Sequence, residues 1–477
     1  MTQCSTEAIE LKRLGKRSVV ADFDGGTITS DAGAVLLDKT DQALALIRRA
    51  AACFTDHRDA ELIEHSVEDL LRQRVFALAL GYEDLNDHDE LSLDPLLAAV
   101  VGKVEPTGRG RRRRRDRGRA LAGKSTLNRL ELTGQAADAA SRYKKIVLIF
   151  EAMRSLFVEL FLESYRTPPK QITIDLDATD DPLHGQQEGR FFHGYYKEYC
   201  YLPLYAFCGD HLLAAELRPS DIDASAGTVE LLERILGSIR RRWPQTRIGV
   251  RADSGFAREE IMAFCEGNGV DYVFGLAKNS RLKAELGEDL AAAAAEYDLT
   301  GQAARVFKDF RYQTRTSWSR ERRVVGKAEH LAGGPNPRFI VTSLPIEQFD
   351  ARTLYEDVYC ARGEMENRLK EQQLCLFADR TSTHWMRSNQ IRLWLSSLAY
   401  VLVSGLRRLG LAGTSMARSR CDTIRLKLLK IGAAVRVSVR RVWIALSSSY
   451  PRQALFRRIC RRLDALIVRR GRCPLRC

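Results

Sequence analysis

The stretch ITIDLDATDDP, residues 172–182, places four carboxylates in eleven residues, two of them inside a segment that alternates like a buried strand. Side chains two residues apart on a strand point to the same face, so Asp175 and Asp177 share one face. A carboxylate on a buried strand is costly unless it binds something. Two interpretations follow: a structural salt bridge or helix cap, and a site for Mg²⁺, which prefers carboxylate oxygens.

The segments after this strand alternate between strand and helix patterns. Three strands in hairpin order, followed by helix, strand, helix and strand, predict a mixed sheet with crossovers. In that topology the first and fourth strands are neighbours, so Asp253, at the end of the fourth, meets the first strand's aspartates at one end of the sheet. The four later strand segments are YLPLYAFC (201–208), HLLAAEL (211–217), RIGVRAD (247–253) and VDYVFGLAK (270–278).

A third acidic ligand is expected from a long helix near residues 355–374. Tyr359, Arg362, Glu366 and Lys370 are spaced by three, four and four residues, so they share one helix face. Such a face is commonly a surface ion-pair ladder. The functional interpretation is that the glutamate binds metal while the arginine and lysine hold phosphates on either side. The strand aspartates upstream and the basic segment downstream favour the functional interpretation.

The positive charge is concentrated near the C-terminus. Residues 401–477 hold 19 Lys and Arg against two acidic residues and carry +17, while the rest of the chain carries −3, which together give the net charge of +14. The run RGRRRRRDRGR (109–119) is a second basic cluster. Such clusters face polyanions more often than solvent alone, so nucleic acid is the expected partner.

The composition argues against a membrane or zinc protein. The N-terminus has no apolar segment of signal-peptide type, and the longest apolar run, residues 393–406, has 14 residues. A membrane span needs ~20, so a buried helix and a cytoplasmic, nucleoid-associated protein are expected. The eleven cysteines contain no CxxC pair, which disfavours a zinc site and indicates reduced thiols.

One enzymatic alternative starts from the same residues. DLDAT (175–179) is also DxDxT, the first motif of haloacid-dehalogenase-type phosphatases, in which the first aspartate attacks phosphorus. RFIVTS and Lys370 fit two later motifs of such enzymes. After residue 343, however, no strand ends in the acidic pair that would bind Mg²⁺, and Asp253 comes too early in the chain. The phosphatase is the less favoured alternative.

The chain resembles the DDE transposases of bacterial insertion sequences, specifically the insertion-sequence 1380 group. The resemblance implies an α/β fold with an RNase H-like mixed-sheet catalytic core and a β-strand insertion before the last catalytic helix. It also implies a polynucleotidyl transferase and endonuclease for Mg-dependent DNA cleavage and strand transfer. It rests on FDGGTITSDAG, QRVFALALGYEDLNDHDEL, STLNRLE, DLDATDDPLHGQQEG, HGYYKEYCYLPLYAFCGD, RADSGF, YCARGEMENRLKEQ and FADRTSTHWMRSNQ, in this order along most of the chain.

Carried over to this sequence, the resemblance implies the catalytic and metal-binding triad Asp177, Asp253 and Glu366. Asp177 is preferred because relatives place the ligand two residues before a threonine, here Thr179, and Asp175 is the alternative metal ligand. The expected cofactor is a pair of Mg²⁺ ions, for which Mn²⁺ can substitute. One ion activates water and later the freed 3′-hydroxyl, and the other stabilises the leaving oxygen.

Residues for binding DNA follow from the same resemblance. Related transposases often carry Tyr-x₂-Arg-x₃-Glu-x₆-Lys, which Tyr359 and Arg362 match. The last position of the motif is Gln373, so Lys370, one turn earlier, is expected to take the part of the lysine. Trp318, in the insertion, is a candidate for stacking on an unpaired base, and packing on a strand is the equally favoured explanation.

The expected partners are terminal inverted repeats and target DNA, with a homodimer in a synaptic complex that joins two ends. A catalytically inactive DNA-binding protein from a decayed element is the alternative function. The N-terminal domain is expected to read the terminal repeats, and the basic C-terminal region to grip the DNA backbone. The expected divisions are a mostly helical DNA-binding domain 1–165 with an Arg-rich loop 108–119, an RNase H-like core 166–279, a β-rich insertion 280–350, the catalytic helix 351–385 and a basic helical region 386–477.

Overall fold

The computed structural model describes residues 8–472 of an α/β protein built on a mixed β-sheet with many helices. Residues 1–7, at the start of the expected N-terminal domain, and 473–477, at the end of the expected basic region, lie outside the described residues.

Nine strands form the central sheet, and the first five carry the candidate site. Their spatial order is β3-β2-β1-β4-β5, in which β2 is antiparallel to β1 and β3, whereas β4 runs parallel to β1 and β5. The predicted mixed sheet, with the first and fourth strands as neighbours, is confirmed. In chain order the strands are β1 (Gln171–Ala178), β2 (Leu204–Cys208), β3 (His211–Glu216), β4 (Arg247–Ala252) and β5 (Asp271–Leu276).

The other four strands continue this sheet beyond β5. They are β6 (Ala304–Tyr312), β7 (Arg322–Leu331), β8 (Gly334–Pro335) and β9 (Arg338–Thr342). Strand β9 pairs antiparallel with β5, β7 with β9, and β6 with β7, while β8 pairs with the end of β7. Two helices, Ser280–Glu285 and Gly287–Thr300, precede them. The strands of segment 280–350 therefore extend the edge of the central sheet instead of forming a separate one.

The period of two along β1 separates acidic from apolar side chains. Asp175 and Asp177 lie opposite Phe207 and Tyr205 of β2, on the face where helix Met386–Gly405 packs against Phe207. The candidate acids therefore project towards the side covered by the last part of the chain. The other face buries, together with helix Thr228–Arg242, the apolar residues of β1: Ile172, Ile174 and Leu176.

The first and last parts of the chain share one apolar core, which draws on residues 32–157 and 365–463 and also on buried side chains between 183 and 217. Helices Ala34–Leu44 and Gln453–Arg472 lie against each other and are joined by the ion pair between Lys39 and Asp464. The remaining α-helices are Leu46–Ala51, Val67–Leu80, Asp87–Leu91, Pro95–Val101, Lys124–Glu131, Phe150–Glu163, Glu259–Gly267 and Cys421–Ile424, besides a helical stretch at 351–375.

The C-terminal region differs from the expected all-helical segment. Strands Ala433–Val437 and Val442–Leu446 form a three-stranded sheet with Ile28–Thr29. These segments are rich in β-branched and small residues, and the first of them pairs with Ile28–Thr29, a partner from the other end of the sequence. The other short strands are Ile9–Leu14, Arg17–Ala21, Phe54–Asp56, Ile146–Leu148, Asp181–Pro182, Phe191–His193 and Glu198–Tyr201.

The apolar run at 393–406 falls almost entirely within helix Met386–Gly405, most of whose residues are buried. This confirms the expected buried helix. Within residues 8–472, none of the helices combines the length and the apolar character that a bilayer crossing requires.

A buried histidine helps to order the N-terminal part. His88 is fully buried, and its Nδ1 lies 3.0 Å from Nε2 of Gln73. The backbone of Ala122 orients the Gln73 amide, because its N–H donates to Oε1 (3.0 Å) and its carbonyl accepts from Nε2 (2.7 Å). Nε2 of Gln73 therefore donates to Nδ1, and the imidazole is neutral. Burial, with the charge of Arg74, lowers the pKa of His88 to about 3.

We expect His88 to make the protein sensitive to acid. The unfolded imidazole titrates near 6.5, so the unfolded state binds an extra proton between about pH 3 and 6.5, and the free energy of unfolding falls as the pH drops through that window. Near pH 5 the effect amounts to about 2 kcal/mol. His88→Gln is expected to flatten this dependence in urea unfolding measured from about pH 6.5 to 4. An unchanged slope would contradict a neutral buried His88.

Candidate active site

Two strand ends bring the first two predicted acids together. Strands β1 and β4 are parallel neighbours in a register that pairs Asp175 with Arg251, so Asp177 and Asp253, two residues further on, lie at the same level. Asp253 ends the extended segment, and its Oδ1 accepts a hydrogen bond from the N–H of Gly255 (2.9 Å). The carboxyl ends of neighbouring strands therefore hold two carboxylates side by side.

The third predicted acid, Glu366, comes from the helical stretch 351–375. The sequence predicts one helix here, and the structure has an unbroken helical run whose pitch changes on both sides of the α-helix that carries Glu366. Such π-helical turns shift which side chains share a face, and they are frequent at functional sites. The run consists of Ala351–Thr353 (α), Leu354–Tyr359 (π), Cys360–Arg362 (3₁₀), Gly363–Lys370 (α) and Glu371–Cys375 (π).

Arg362 joins the first and third acids. Its Nη2 lies 3.1 Å from Oδ1 of Asp177, and its Nη1 lies 3.1 Å from Oε1 of Glu366. The side chains of Arg362 and Asp177 are each 13% exposed, whereas that of Glu366 is 51% exposed. The guanidinium thus supplies the positive charge between the two carboxylates. With Asp253, three carboxylates face one guanidinium, which leaves an excess of negative charge at this end of the sheet.

Arg362, Asp177, Asp253 and Glu366 form one electrostatic group, the charge unit. Burial raises the pKa of Asp177 to about 6, opposed by Arg362 and reinforced by the charges of Asp253 and Glu366. Burial alone would lower the pKa of Arg362, but the charges of Asp177 and Asp253 outweigh it, so the pKa of Arg362 is raised. The acids that the sequence separates by 76 and 113 residues therefore sense one another's charge.

A glycine on β5 permits the close approach of the helical stretch. A Cβ at Gly275 would lie 2.6 Å from Oη of Tyr359, 2.9 Å from N of Ser254 and 3.2 Å from C of Asp253. Tyr359, predicted to line the site, is half-buried against this strand end. Any larger residue at position 275 would press on the backbone that carries Asp253.

Two ion pairs anchor the far end of the helical stretch. Glu371 is 1% exposed, and Nη2 of Arg407 lies 3.0 and 2.9 Å from its two carboxylate oxygens. Removing one partner of this buried pair leaves an uncompensated buried charge. The second pair, Arg368 with Asp210 in the turn between β2 and β3 at 2.5 Å, is partly exposed. These contacts fix the helix of Glu366 against the sheet and the C-terminal helices.

Asp175 and Lys370 are not among the residues that form ion pairs with Arg362. Asp175 is held in two hydrogen bonds by Arg251, with Nε 2.5 Å from Oδ1 and Nη2 2.9 Å from Oδ2, and Arg251 also donates to the carbonyl of Val358. This is the salt-bridge arrangement weighed for the strand aspartates. Lys370 is exposed on the helix of Glu366.

Trp318 lies in the apolar core, with only 5% of its surface exposed. Its ring meets Tyr312 edge-on at 5.7 Å, and the guanidinium of Arg322 lies 5.5 Å from its centre. Trp318 therefore packs within the apolar core, and the face of its indole ring is covered in this conformation.

Sequence reasoning missed two residues at the site, Arg251 and Tyr196. Arg251 had a signal, because it lies two residues before Asp253 and so projects from the same face of β4. Tyr196 lies in the turn between two short strands, and burial with the charges of Asp180, Asp177 and Asp253 raises its pKa. No sequence signal marks Tyr196, since its position depends on how that hairpin folds back.

The donor set fits Mg²⁺ in its chemistry. Asp177, Asp253 and Glu366 offer the hard carboxylate oxygens that this ion prefers. In the present arrangement, however, no group of three or more His, Cys, Asp or Glu side chains within residues 8–472 is placed to hold a metal ion. The physical reason at this site is Arg362, whose guanidinium lies between two of the three acids.

A mixed α/β sheet flanked by helices is compatible with the fold of DDE transposases, a class of nucleases and transferases. Residues 11–468 match the family described as "Transposase DDE domain group 1", and the chain belongs to this family. Its members are transposases, which bind DNA and generally use divalent metal ions. No curated protein matches the chain.

We expect Gly275→Ala to destabilise the protein by about 2 kcal/mol, because overpacking against rigid backbone typically costs 1–3 kcal/mol. Gly249→Ala on neighbouring β4 is the matched control, since a Cβ there would meet nothing closer than 3.9 Å. Urea unfolding of both variants measures the difference. Equal stability of the two variants would contradict the close approach at Gly275.

Proposed function

We propose that this protein is a transposase of the insertion-sequence 1380 group, which cleaves DNA at the ends of its element and transfers the freed ends to target DNA. The observation that carries the proposal is the electrostatic coupling of Asp177, Asp253 and Glu366 at one end of the central sheet. The strand order β3-β2-β1-β4-β5 supports an RNase H-like core over 166–279. The helical run at 351–375 supports a catalytic helix within 351–385.

In this proposal Asp177, Asp253 and Glu366 hold two Mg²⁺ ions, which Mn²⁺ can replace. When bound, such ions supply activation of the attacking water or 3′-hydroxyl and stabilisation of the leaving oxygen. The chain's own contribution is position. The strand ends fix the two aspartates, and the buried pair of Glu371 and Arg407 fixes the helix of Glu366, which sets the direction of attack.

Arg362 is proposed to pair with carboxylates when DNA is absent and with a DNA phosphate when it is bound. In the described conformation it pairs with Asp177 and Glu366. If those carboxylates held metal ions, the guanidinium would be free for a DNA phosphate, which it would match with two parallel N–H groups. Tyr359 and exposed Lys370 lie on the same helical run and contact the DNA on either side. Trp318, which is buried, is left out of this DNA-binding set.

The N-terminal part has a basic cleft of about 1240 Å³ that suits the backbone of DNA. Some of its cations are already paired, such as Arg111 with Glu64 at 3.1 Å and Lys124 with Asp89 at 3.1 Å. Others are exposed and free to meet phosphates. These lining residues are Arg112, Arg113, Arg129 and Arg142, the last two also stacked on the exposed ring of Tyr143.

The terminal regions of the chain and its oligomeric state also have roles in the proposed function. The N-terminal domain 1–165 reads the terminal inverted repeats, and the basic region 386–477 contacts the backbone of the same DNA or of the target. A homodimer in a synaptic complex joins two element ends, in a cytoplasmic, nucleoid-associated protein. The concentration of +17 in residues 401–477 supports the backbone role.

Two other functions are less well supported. A haloacid-dehalogenase-type phosphatase needs Asp175 as a free nucleophile, but Arg251 holds both of its oxygens. A catalytically inactive DNA-binding protein would need the basic cleft alone. The retention of Asp177, Asp253 and Glu366 within one charge unit favours the active enzyme.

We expect Asp253→Asn and Glu366→Gln each to abolish Mg²⁺-dependent strand cleavage, by at least about a thousandfold, while DNA binding stays intact. Cleavage of a duplex that carries the element's ends, and binding by fluorescence anisotropy, are measured side by side. Glu364→Gln, an exposed acid on the same helix, is the matched control and keeps full activity. Cleavage retained by Asp253→Asn would rule the assignment out, and binding without cleavage by the unaltered protein would support the inactive binder.

We expect the double change Arg112→Ala with Arg113→Ala to weaken DNA binding equally for all sequences. It should also reduce the slope of log affinity against log salt by about 2, because each phosphate contact contributes ~0.9. Arg241→Ala with Arg242→Ala, two exposed arginines at the end of another helix, is the matched control. Equal slopes for the two double variants would exclude the cleft as a DNA site.

A further inference from the structure

A hairpin at residues 191–201 exposes aromatic rings. Its strands, Phe191–His193 and Glu198–Tyr201, pair antiparallel and are joined by residues 194–197. Such rings normally gain about 1.5–3 kcal/mol when buried, so an exposed group of them marks an interaction surface. The four exposed rings are Phe191 (42%), Phe192 (57%), Tyr195 (84%) and Tyr199 (45%).

The hairpin lies next to the candidate active site. Asp181–Pro182, just past Asp177 on the chain, pairs with the second hairpin strand through Tyr201 and Cys200. From the other side, Nε2 of Gln373, on the helical run of Glu366, donates to the carbonyl of Asp180 (2.9 Å). Residues 180–182, on which the second hairpin strand pairs, are therefore tied both to the strand and to the helical run that carry candidate catalytic acids.

The base of the hairpin is rigid, although its rings are exposed. Tyr201 is fully buried, and its hydroxyl donates to the carbonyl of Glu188 (2.7 Å) and accepts from Nδ2 of Asn389 (3.3 Å). The N–H of Glu188 donates to the carbonyl of His384 (2.8 Å). Helix Met386–Gly405 thus holds the hairpin in place, and the exposed rings are presented on a fixed support.

The rings are accompanied by positive charge. Phe192 and Tyr199 face each other across the strands with ring centres 5.5 Å apart, and the guanidinium of Arg190 lies 3.8 Å from the centre of the Tyr199 ring. Lys197, in the turn beside Tyr195, is exposed. Aromatic faces with adjacent cations are the combination that binds bases and phosphates of a single strand.

We propose that residues 190–199, the aromatic hairpin, form a platform on which unpaired bases beside the cleaved phosphate stack. This inference rests on the proposed function and names a further part of its substrate, a locally unpaired strand. In a duplex the faces of the bases already stack on one another, so exposed rings on a rigid support suit unpaired bases. The position beside Asp177 places such bases next to the reacting phosphate.

The test uses the full chain and single-stranded DNA of about 12 nucleotides that contains 2-aminopurine, whose fluorescence is quenched by stacking. The matched duplex is the second probe. The unaltered protein is expected to quench the single strand. The double variant Phe192→Ala with Tyr195→Ala is expected to lose the quenching and about tenfold in affinity for the single strand, with the affinity for the duplex nearly unchanged.

Two further variants sharpen the result. Tyr195→Trp keeps a stacking face and is expected to keep the quenching. Leu299→Ala removes an exposed apolar side chain (87%) from helix Gly287–Thr300, in a segment with no assigned DNA contact, and should change nothing. Quenching retained by the double variant, or absent in the unaltered protein, overturns the inference.

A second copy of the chain is the competing occupant of the aromatic hairpin. Sedimentation of the same variants separates the two: a dimer that dissociates in the double variant while quenching persists assigns the rings to protein contact and overturns the inference. Failure of the hairpin is distinguishable from failure of the proposed function. Mg²⁺-dependent cleavage by the unaltered protein tests the enzyme, whereas quenching tests only the platform.

Discussion

The pairing of Asp175 and Asp177 with Arg251 and Arg362 is the interaction on which the site depends. The two buried carboxylates, Asp175 and Asp177, cannot remain ionised without cations, since the cost of desolvation is several kcal/mol for each charge. Arg251 satisfies Asp175 within the sheet, through both carboxylate oxygens. Asp177 instead depends on an arginine from a distant helical run. One aspartate is thereby committed to structure, while the other is left with a partner that a phosphate can compete for.

The central sheet and the terminal parts of the chain position different acids of the candidate site. Strands β1 and β4 fix two acids by hydrogen-bonded register, which is rigid, whereas the third acid depends on side-chain contacts at the far end of the helical run. The strands of segment 280–350, which follow β5 and precede that run along the chain, lengthen the sheet at its far edge. The 113 residues from Asp253 to Glu366 are therefore accommodated without disturbing the strand ends where the acids meet.

Much of this arrangement can be predicted from the local sequence. The features that could not be predicted depend on contacts between distant segments. The alternation in ITIDLDAT predicts both the strand and the shared face of its aspartates, and the spacing of Arg362 and Glu366 predicts their contact within one helix turn. The π-helical turns could not be predicted, because they depend on tertiary packing at both ends of the run. Nor could the burial of Trp318 or the position of Tyr196, since each depends on contacts with segments far away in sequence. The short strands after residue 430 were missed because their partner, Ile28–Thr29, lies at the other end of the chain.

The core shared by residues 32–157 and 365–463 has a consequence for synthesis. During translation residues 32–157 leave the ribosome well before residues 365–463, which cover their apolar surface, so that surface stays open to chaperones and to aggregation until those residues follow. A message cut short before residue 365 would yield a fragment without the covering helices and without Arg407, which anchors the helix of Glu366. Synthesis of residues 365–463 thus closes the core and brings the candidate acids together in the same step.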